Sequence, residues 1–435
     1  MKVSPARRAA YDVLHEVGAR GAYSNLELSK RLKGSDMSPS DRGLATDIVY
    51  TCLRHQATID AVLATVVDRP LAKVDPRVLD ILRIGVAEHM YLGKPAHAVV
   101  DNAVNLAQSV GAGSAKGFTN AILRKVTART PEQLLDAALS DLDGDDALEV
   151  RYSHPQWIIR AFRDVLGQGS LDDVLAADNT VPRVTLAARP ARCAPDDLPG
   201  EPTPWSPWGV YLDGGDPGAV AQVRDGRAAV QDLGSQLMVL ALSRAPVDCA
   251  DDAWLDMCAG PGGKAGLMAD LIEGSLVCVE QHQHRADLVE QAVAGAPSQT
   301  EIVVADATQI EGSFSRVLLD APCSGLGVLR RRPESRWRRQ PSDIPELSSL
   351  QRRLLDRAID VCRPGGVVAY VTCSPHLAET DMIVEDVLAA RDDVEQLDAP
   401  ALLPEVPDCA DGLAIRLWPH LHDTDGMYMA LLRKV

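Results

Sequence analysis

The spacing of apolar residues changes along this chain, and the change dictates two kinds of architecture. Through the first 130 residues apolar side chains recur every three or four positions, as in Ala9, Ala10, Val13, Leu14 and Val17, or Leu44, Ile48, Val49, Cys52 and Leu53. That spacing lines one face of a helix. Ser38, Pro76 and Pro95 supply helix starts, so a small all-α bundle is expected. From residue 253 short apolar runs ending at Leu255, Val279, Val304, Leu319 and Val371 alternate with helix-length segments. Strands alternating with helices imply a parallel sheet covered on both faces. Residues 345–361 form one amphipathic helix stopped by Pro364-Gly365-Gly366, and 414–418 with 427–432 read as a closing hairpin.

Three domains are expected: a helical bundle over 1–140, a linker and small α/β adaptor over 141–235, and an α/β domain over 236–435. The polar run 141–146 suits a linker, 181–186 reads as a strand, and the Pro- and Gly-rich stretch 199–218 reads as turns and loops. Residues 226–232 lead into a helix through Leu237, Val239 and Leu242. His154 reads as a helix-start cap or packed polar group, not a catalytic base.

At 435 residues the chain is too long for one core. Charged residues at 24% and hydrophobic ones at 46% give an ordinary globular balance. No apolar run is long enough to cross a bilayer, and the first residues lack a signal-peptide core. Nine cysteines without a Cys-x-x-Cys pair argue against a disulfide framework or zinc knuckle and for a reducing cytoplasm. The net charge of −17 is unevenly spread: residues 1–140 carry +4 and the rest −21. Within the acidic part lies one basic cluster, Arg330, Arg331, Arg332, Arg336, Arg338 and Arg339 around Trp337. Arginines can track phosphates while an aromatic stacks a base; a solvated charged loop is the plainer alternative.

Ligands of open α/β sheets bind at the strands' carboxyl ends, and several chemically apt residues fall there. Asp256-Met-Cys-Ala-Gly-Pro-Gly-Gly-Lys264 is a glycine-rich turn from strand to helix, neither G-x-G-x-x-G nor a Walker sequence. The next two strands end near Glu280, suited to ribose hydroxyls, and Asp306, suited to a base edge; helix capping is the alternative for both. Cys323 in Asp320-Ala-Pro-Cys-Ser-Gly325 and Cys373 in Thr372-Cys-Ser-Pro375 follow the last two. A thiol so placed is either a small buried hydrophobe or, where thiolate is favoured, a nucleophile.

Taken together, Asp256-x-Cys-Ala-x-Pro-Gly-Gly-Lys264, Asp306, Asp320-Ala-Pro-Cys-Ser-Gly325 and Thr372-Cys-Ser374 resemble the RNA cytosine-C5 methyltransferases. Further matches are Gln231-Asp232, Gly327, Gln351 and Asp425-Gly426. Arg7-Arg8, Ile59-Asp60, Ile81-Leu82-Arg83, Glu88, Pro95 and Phe118-x-Asn120 follow the order seen in NusB-like RNA-binding domains. The chain is similar to the bacterial RsmB (Sun/Fmu) type, which modifies 16S ribosomal RNA. The resemblance implies a Rossmann-like class I methyltransferase domain behind a NusB-like one.

It also implies S-adenosylmethionine as cofactor. Cys258, Ala259, Gly260, Pro261, Gly262, Gly263 and Lys264 would hold it, with Glu280, Arg285, Asp306 and Asp320. Cys373 would attack, Cys323 would assist release, Asp320 would bond the cytosine edge, and Lys264 would support Asp320. Arg330, Arg331, Arg332, Arg336 and Trp337 would meet RNA, on a single-stranded or flipped cytosine. A monomer without metal or membrane association is expected.

Several positions depart from the family pattern. Gly260 replaces a usual Ala, Ala265 a common Thr, and Glu280 a common Asp. Ala187-Ala188-Arg189 stands where Arg-Val-Asn is usual, which puts that RNA contact in doubt. Glu379-Thr380-Asp381 keeps one acid of Glu-Glu-Asn. The competing readings are the same chemistry on transfer RNA or another ribosomal cytosine, and a non-catalytic RNA-binding assembly factor. Intact Cys323, Cys373 and Asp320 disfavour the last.

Overall fold

The computed structural model describes residues 3–435. It divides into two compact units, one of residues 3–180 with Leu329–Arg339, the other of Val181–Val328 with Gln340–Val435.

The first unit is helical. Its elements are α1 (Pro5–Arg20), α2 (Ser24–Leu32), α3 (Pro39–Arg54), α4 (Gln56–Ala64), α5 (Pro76–Met90), α6 (Ala96–Ser109) and α7 (Lys116–Thr127). They are followed by α8 (Pro131–Leu139), α9 (Gly144–Tyr152), α10 (Gln156–Leu166) and α11 (Leu171–Ala177). The Ser38 hydroxyl caps α3 by accepting from the Asp41 N–H at 3.1 Å, and the Asp75 carboxylate caps α5 in the same way. One apolar core runs through Val13, Ile48, Ile59, Leu63, Ile81, Leu82, Val99, Leu106 and Leu123. Arg7 and Glu88 form a two-pronged ion pair, with Glu88 buried, and Arg83 grips Asp60 at 2.8 and 2.7 Å. These four residues of the NusB-like pattern thus tie the bundle together.

The compact units part at residue 180, not 140. Half of the run expected to be a linker, residues 144–146, is the start of α9, and α9–α11 pack with the bundle. His154 is fully buried between the Tyr152 carbonyl and Asp178, and burial pushes its pKa well down, so it stays neutral.

Leu329–Arg339, which includes the short helix α16 (Ser335–Arg338), also belongs to the helical unit. Two arginines expected to meet RNA are corrected here: Arg330 is 1% exposed and Arg336 not at all. The Arg336 guanidinium donates to the carbonyls of Arg54 (2.7 Å), Ser153 (3.2 Å) and Asp178 (2.9 Å), and to Asn179 Oδ1 (2.8 Å). Those carbonyls lie at the C-terminal ends of α3, α9 and α11, which carry negative partial charge and lack intrahelical donors. One buried cation therefore caps three helices. Glu334 works at an N-terminus, accepting from the Ser24 N–H and hydroxyl at 3.2 and 2.9 Å. Arg332 is exposed, whereas Arg331 and Trp337 are half-buried.

In the second unit a small antiparallel sheet comes first: β1 (Thr185–Ala188), β2 (Glu201–Pro202), β3 (Gly209–Tyr211) and β4 (Ala228–Val230), in the order β2-β3-β1-β4. Two of these strands lie in the stretch expected to be loops. They are two and three residues long, too short to show alternation. The short α12 (Ala221–Arg224) and then α13 (Leu233–Arg244) lead to the large sheet.

Its first strands are β5 (Ala253–Asp256), β6 (Ser275–Glu280), β7 (Gln299–Val304), β8 (Phe314–Asp320) and β9 (Cys362–Thr372). Between them lie α14 (Gly263–Leu271), α15 (Gln283–Val293) and α17 (Ile344–Val361). The chain closes with α18 (Asp381–Ala390), β10 (Val394–Leu397), β11 (Ala410–Asp411), β12 (Ala414–Leu417), α19 (Pro419–His422) and β13 (Met427–Lys434). The order is β11-β12-β13-β9-β8-β5-β6-β7, with β10 also on β13. Strands β5 to β9 pair in parallel, and β13 runs antiparallel to β9, β10 and β12.

Alternate residues of the central strands enter separate cores. Leu318, Val367, Ala369 and Val371 pack with α13 and α14, while Val317, Leu319, Val368 and Tyr370 pack with α17 and α18. That double burial explains the unbroken apolar runs of β8 and β9. Among the described residues no helix is long and apolar enough to cross a membrane, and no cluster of side chains suited to a metal occurs.

Arg336→Ala would strip donors from three buried helix ends, at about 1–3 kcal/mol for each group left unsatisfied. Calorimetry should show the helical unit destabilised, with faster amide exchange at the ends of α3, α9 and α11. A loss below about 1 kcal/mol would contradict the capping role.

Candidate active site

Strand order reverses at β5: the chain moves through β6 and β7 on one side, then returns to β8 and β9 on the other. A crevice opens beyond the carboxyl ends of strands at such a point. The turn after β5 and the loop after β8 therefore flank it.

In the paired strands Asp320 of β8 lies opposite Val371 of β9. Cys323 follows three residues beyond Asp320, and Cys373 directly follows Thr372. The register brings their Sγ atoms to 3.4 Å, both in part-exposed residues. The Cys323 thiol is pushed well above its usual range, first by the hydrogen bond to Cys373, then by burial, then by the charges of Cys373 and Glu379. The Cys323 thiol is thus held in its protonated form. The Cys373 carbonyl is fixed by the Gly327 N–H at 2.8 Å. Gly327 must be glycine, because a Cβ there would lie 1.9 Å from the Gly426 carbonyl oxygen.

Lys264, near the start of α14, donates to Asp320 Oδ2 at 2.7 Å. Burial disfavours its ammonium, but the charge and hydrogen bond of Asp320, helped by Cys373 and Asp256, outweigh it and raise the pKa. Asp256 is 1% exposed, and neither carboxyl oxygen has a hydrogen-bond partner. Burial first, then the charge of Asp320, pushes its pKa up to about 7, while Lys264 pulls the other way. The Gln231 amide is likewise buried without a partner, and it lies beside Gly263, where a Cβ would meet its Cδ in ordinary contact at 3.7 Å.

The turn at 258–264 departs from the family pattern in a way the geometry explains. Glu280 Oε1 accepts from the His282 N–H at 3.0 Å, and its other oxygen pairs with Arg285 at 3.3 Å. Arg285 in turn donates to the Gly260 carbonyl at 2.5 Å. A Cβ on residue 260 would fall 2.2 Å from Glu280 Oε2. Glutamate in place of aspartate, and glycine in place of alanine, are thus one change in two places: the longer acid occupies the room of the missing methyl. Burial pushes the Cys258 thiol far up, so it is not a nucleophile.

Asp306 is exposed and caps its own turn, with Oδ1 accepting from the Thr308 N–H at 2.9 Å and hydroxyl at 2.8 Å; these bonds lower its pKa. Arg189, from the altered stretch after β1, is 1% exposed and donates to the Gly263 carbonyl at 3.1 Å, its pKa lowered by burial to about 10. It braces the turn at 258–264 and is too buried to contact RNA. No local pattern marks it in the sequence, because it acts through residues 74 positions away.

A family model described as 16S rRNA methyltransferase RsmB/F matches residues 243–433, and one described as the NusB family matches 4–128. A provisionally named methyltransferase of Mycobacterium tuberculosis is 43% identical, over all of this chain and 97% of its own length. The ribosomal RNA small subunit methyltransferase B of Xanthomonas campestris is 30% identical over 99% of this chain and 97% of its own. The chain belongs to the RsmB/F family of 16S rRNA methyltransferases. It is accordingly an S-adenosylmethionine-dependent RNA methyltransferase with a NusB-type helical region. The crystal structure of a protein designated PH0851 shares the fold over the full length of both chains, with a TM-score of 0.80 at 22% identity. That of NSun6 from Pyrococcus horikoshii with SFG shares it over 65% of this chain and 98% of its own, with a TM-score of 0.55 at 19% identity.

Gly260→Ala should weaken S-adenosylmethionine binding about tenfold or more by displacing Glu280, about 1.4 kcal/mol by titration calorimetry. Adding Glu280→Asp should restore most of the loss. Unchanged affinity in the single variant would contradict the coupling.

Proposed function

We propose that this RNA methyltransferase acts on C5 of a cytosine in 16S ribosomal RNA, through a transient bond between Cys373 and C6. The observation that carries the reading is the pair of thiols 3.4 Å apart, beside the Lys264–Asp320 ion pair.

C5 of cytosine is too weak a nucleophile to take a methyl group unaided. Addition of the Cys373 thiolate to C6 forms the S–C6 bond and pushes the C5–C6 π electrons toward C5. Asp320, paired with Lys264 as a carboxylate, is an acceptor suited to the exocyclic N4 amino group. The buried Lys264 ammonium offsets negative charge developing around the ring, in a setting where such electrostatic help is strong. After C5 carries its methyl, its proton must leave so that the double bond re-forms and the Cys373 thiolate departs. Cys323 is suited to receive that proton once its own has passed to solvent. While Cys373 is free, its hydrogen bond and charge hold the proton on Cys323. Once the Cys373 sulfur is bonded to C6, that restraint disappears and Cys323 becomes more acidic, at the stage where a base is needed. The cycle regenerates the Cys373 thiolate and the Cys323 thiol and releases one proton, that which Cys323 gave up.

S-adenosylmethionine, when bound, supplies an electrophilic methyl group. The residues present fit it: a buried carboxylate with two unpartnered oxygens, Asp256, lies at a glycine turn and suits a cationic ligand. Residues 258–264 would line the cofactor, Glu280 would take the ribose hydroxyls, and Asp306 would lie near the adenine. Arg285 would hold Glu280 in place. For RNA, Arg331, Arg332 and Trp337 remain candidates after Arg330 and Arg336 are set aside.

Cys373→Ala should abolish methylation of 16S RNA while leaving cofactor affinity intact. Cys323→Ala should instead accumulate an RNA–protein adduct that survives denaturing electrophoresis. Retained turnover in the first variant, or absence of any adduct in the second, would overturn the assigned roles.

A further inference from the structure

The two cysteine loops are joined by one side chain that neither motif contains. Glu379 lies just before α18 and is fully buried. Its Oε1 accepts from the Ser324 N–H at 2.8 Å and the Gln351 amide at 3.2 Å. Oε2 accepts from the hydroxyls of Ser324 at 2.5 Å and Ser374 at 2.7 Å. Ser324 directly follows Cys323 and Ser374 directly follows Cys373, and the two hydroxyl oxygens are 3.1 Å apart. Gln351, on α17, also donates to the carbonyl of Pro322, the residue before Cys323, at 2.9 Å. The main chain of Glu379 is itself held, since the Tyr370 hydroxyl donates to its backbone carbonyl at 2.8 Å.

We infer that Glu379 is a positioning residue that sets the separation of the two reacting thiols. Strand pairing places the loops side by side but ends at Ala321 and Thr372, short of both sulfurs. Beyond that point the 3.4 Å spacing depends on what ties residues 322–324 to 373–374. The Glu379 carboxylate reaches both segments from one point. Ser324, Ser374, Gln351 and Glu379 are each no more than 2% exposed, so water cannot replace the carboxylate. Four donors converge on two oxygens, and deleting the acceptor would leave them unsatisfied. The charge of Glu379 also helps keep the proton on Cys323. The side chain is too enclosed to touch substrate, so it acts through the cysteines. Its significance for methyl transfer rests on the function proposed above; its effect on thiol spacing does not.

The test is to cross-link the full-length protein with a short bis-alkylating thiol reagent and quantify the Cys323–Cys373 bridge by peptide mapping. Single-turnover methyl transfer to 16S RNA and S-adenosylmethionine affinity are measured alongside. Glu379→Ala should lower the bridging rate at least fivefold and methyl transfer about 10²-fold, as for misplaced reacting groups, with cofactor affinity within about twofold. Glu379→Gln should recover most of both losses, because an amide can accept from the Ser324 N–H and donate to the serine hydroxyls. If the alanine variant does not fold, Ser324→Ala with Ser374→Ala keeps the carboxylate but removes both hydroxyl ties, including its one bond to the Cys373 loop, and should reproduce the effect. Bridging and turnover equal to the parent protein would overturn the inference, as would lost bridging with unchanged turnover. A parent protein that fails to methylate cytosine, yet bridges in a Glu379-dependent way, would uphold the clamp and remove the reading it rests on.

Discussion

Parallel pairing of β8 with β9 is the constraint on which the chemistry depends. With Asp320 opposite Val371, the two strands deliver an acid and two thiols to one rim. A one-residue slip would turn every side chain of a strand to the opposite face. It would exchange Leu318, Val368 and their neighbours between two filled cores and separate the sulfurs. Hydrophobic packing far below the rim therefore fixes the geometry of the thiols. What pairing cannot reach, beyond Ala321 and Thr372, is held by hydrogen bonds: Gly327 on the Cys373 carbonyl and Glu379 on both serines.

Electrostatics at this rim separates roles that the sequence leaves equal. Lys264 is a buried cation facing Asp320, with Cys373 near enough for its charge to be felt. Cys323 instead lies under the influence of two negative groups, Cys373 and Glu379. The charges around Cys323 thus favour its protonated form. Asp256 follows the same logic, as a buried carboxyl beside Asp320 that ionises only near pH 7 and is favoured in its charged form by a cation.

Much of this was legible in the chain because strand ends are local features. The runs closing at Leu255, Val279, Val304, Leu319 and Val371 each matched a strand of the sheet, and the bundle followed from helical spacing. The small strands within 199–218 were not legible, being too short for a pattern. Arg336 misled for a different reason. A cluster of arginines reads as a surface for phosphate, and only three converging helix ends reveal a buried demand for a cation. Arg189 and Glu379 are hidden in the same sense. Each meets its partners across turns brought together by the fold, so the sequence shows each only as part of a departure from the family pattern and not what it holds. The exchange of Gly260 and Glu280 shows the converse, because two departures from pattern become intelligible once their atoms compete for one space.

The central claim is that Cys373 attacks C6 while Cys323 holds and later moves a proton. Its most direct measurement uses 16S RNA containing 5-fluorocytidine, in which fluorine replaces the C5 proton whose loss releases the enzyme, so that the methylated thiol–C6 adduct is trapped. Protease digestion and mass spectrometry of the trapped complex would identify the attached cysteine. The account predicts the nucleotide on the peptide that contains Cys373 and none on that of Cys323. Attachment through Cys323, or no covalent complex despite methylation of ordinary RNA, would contradict it.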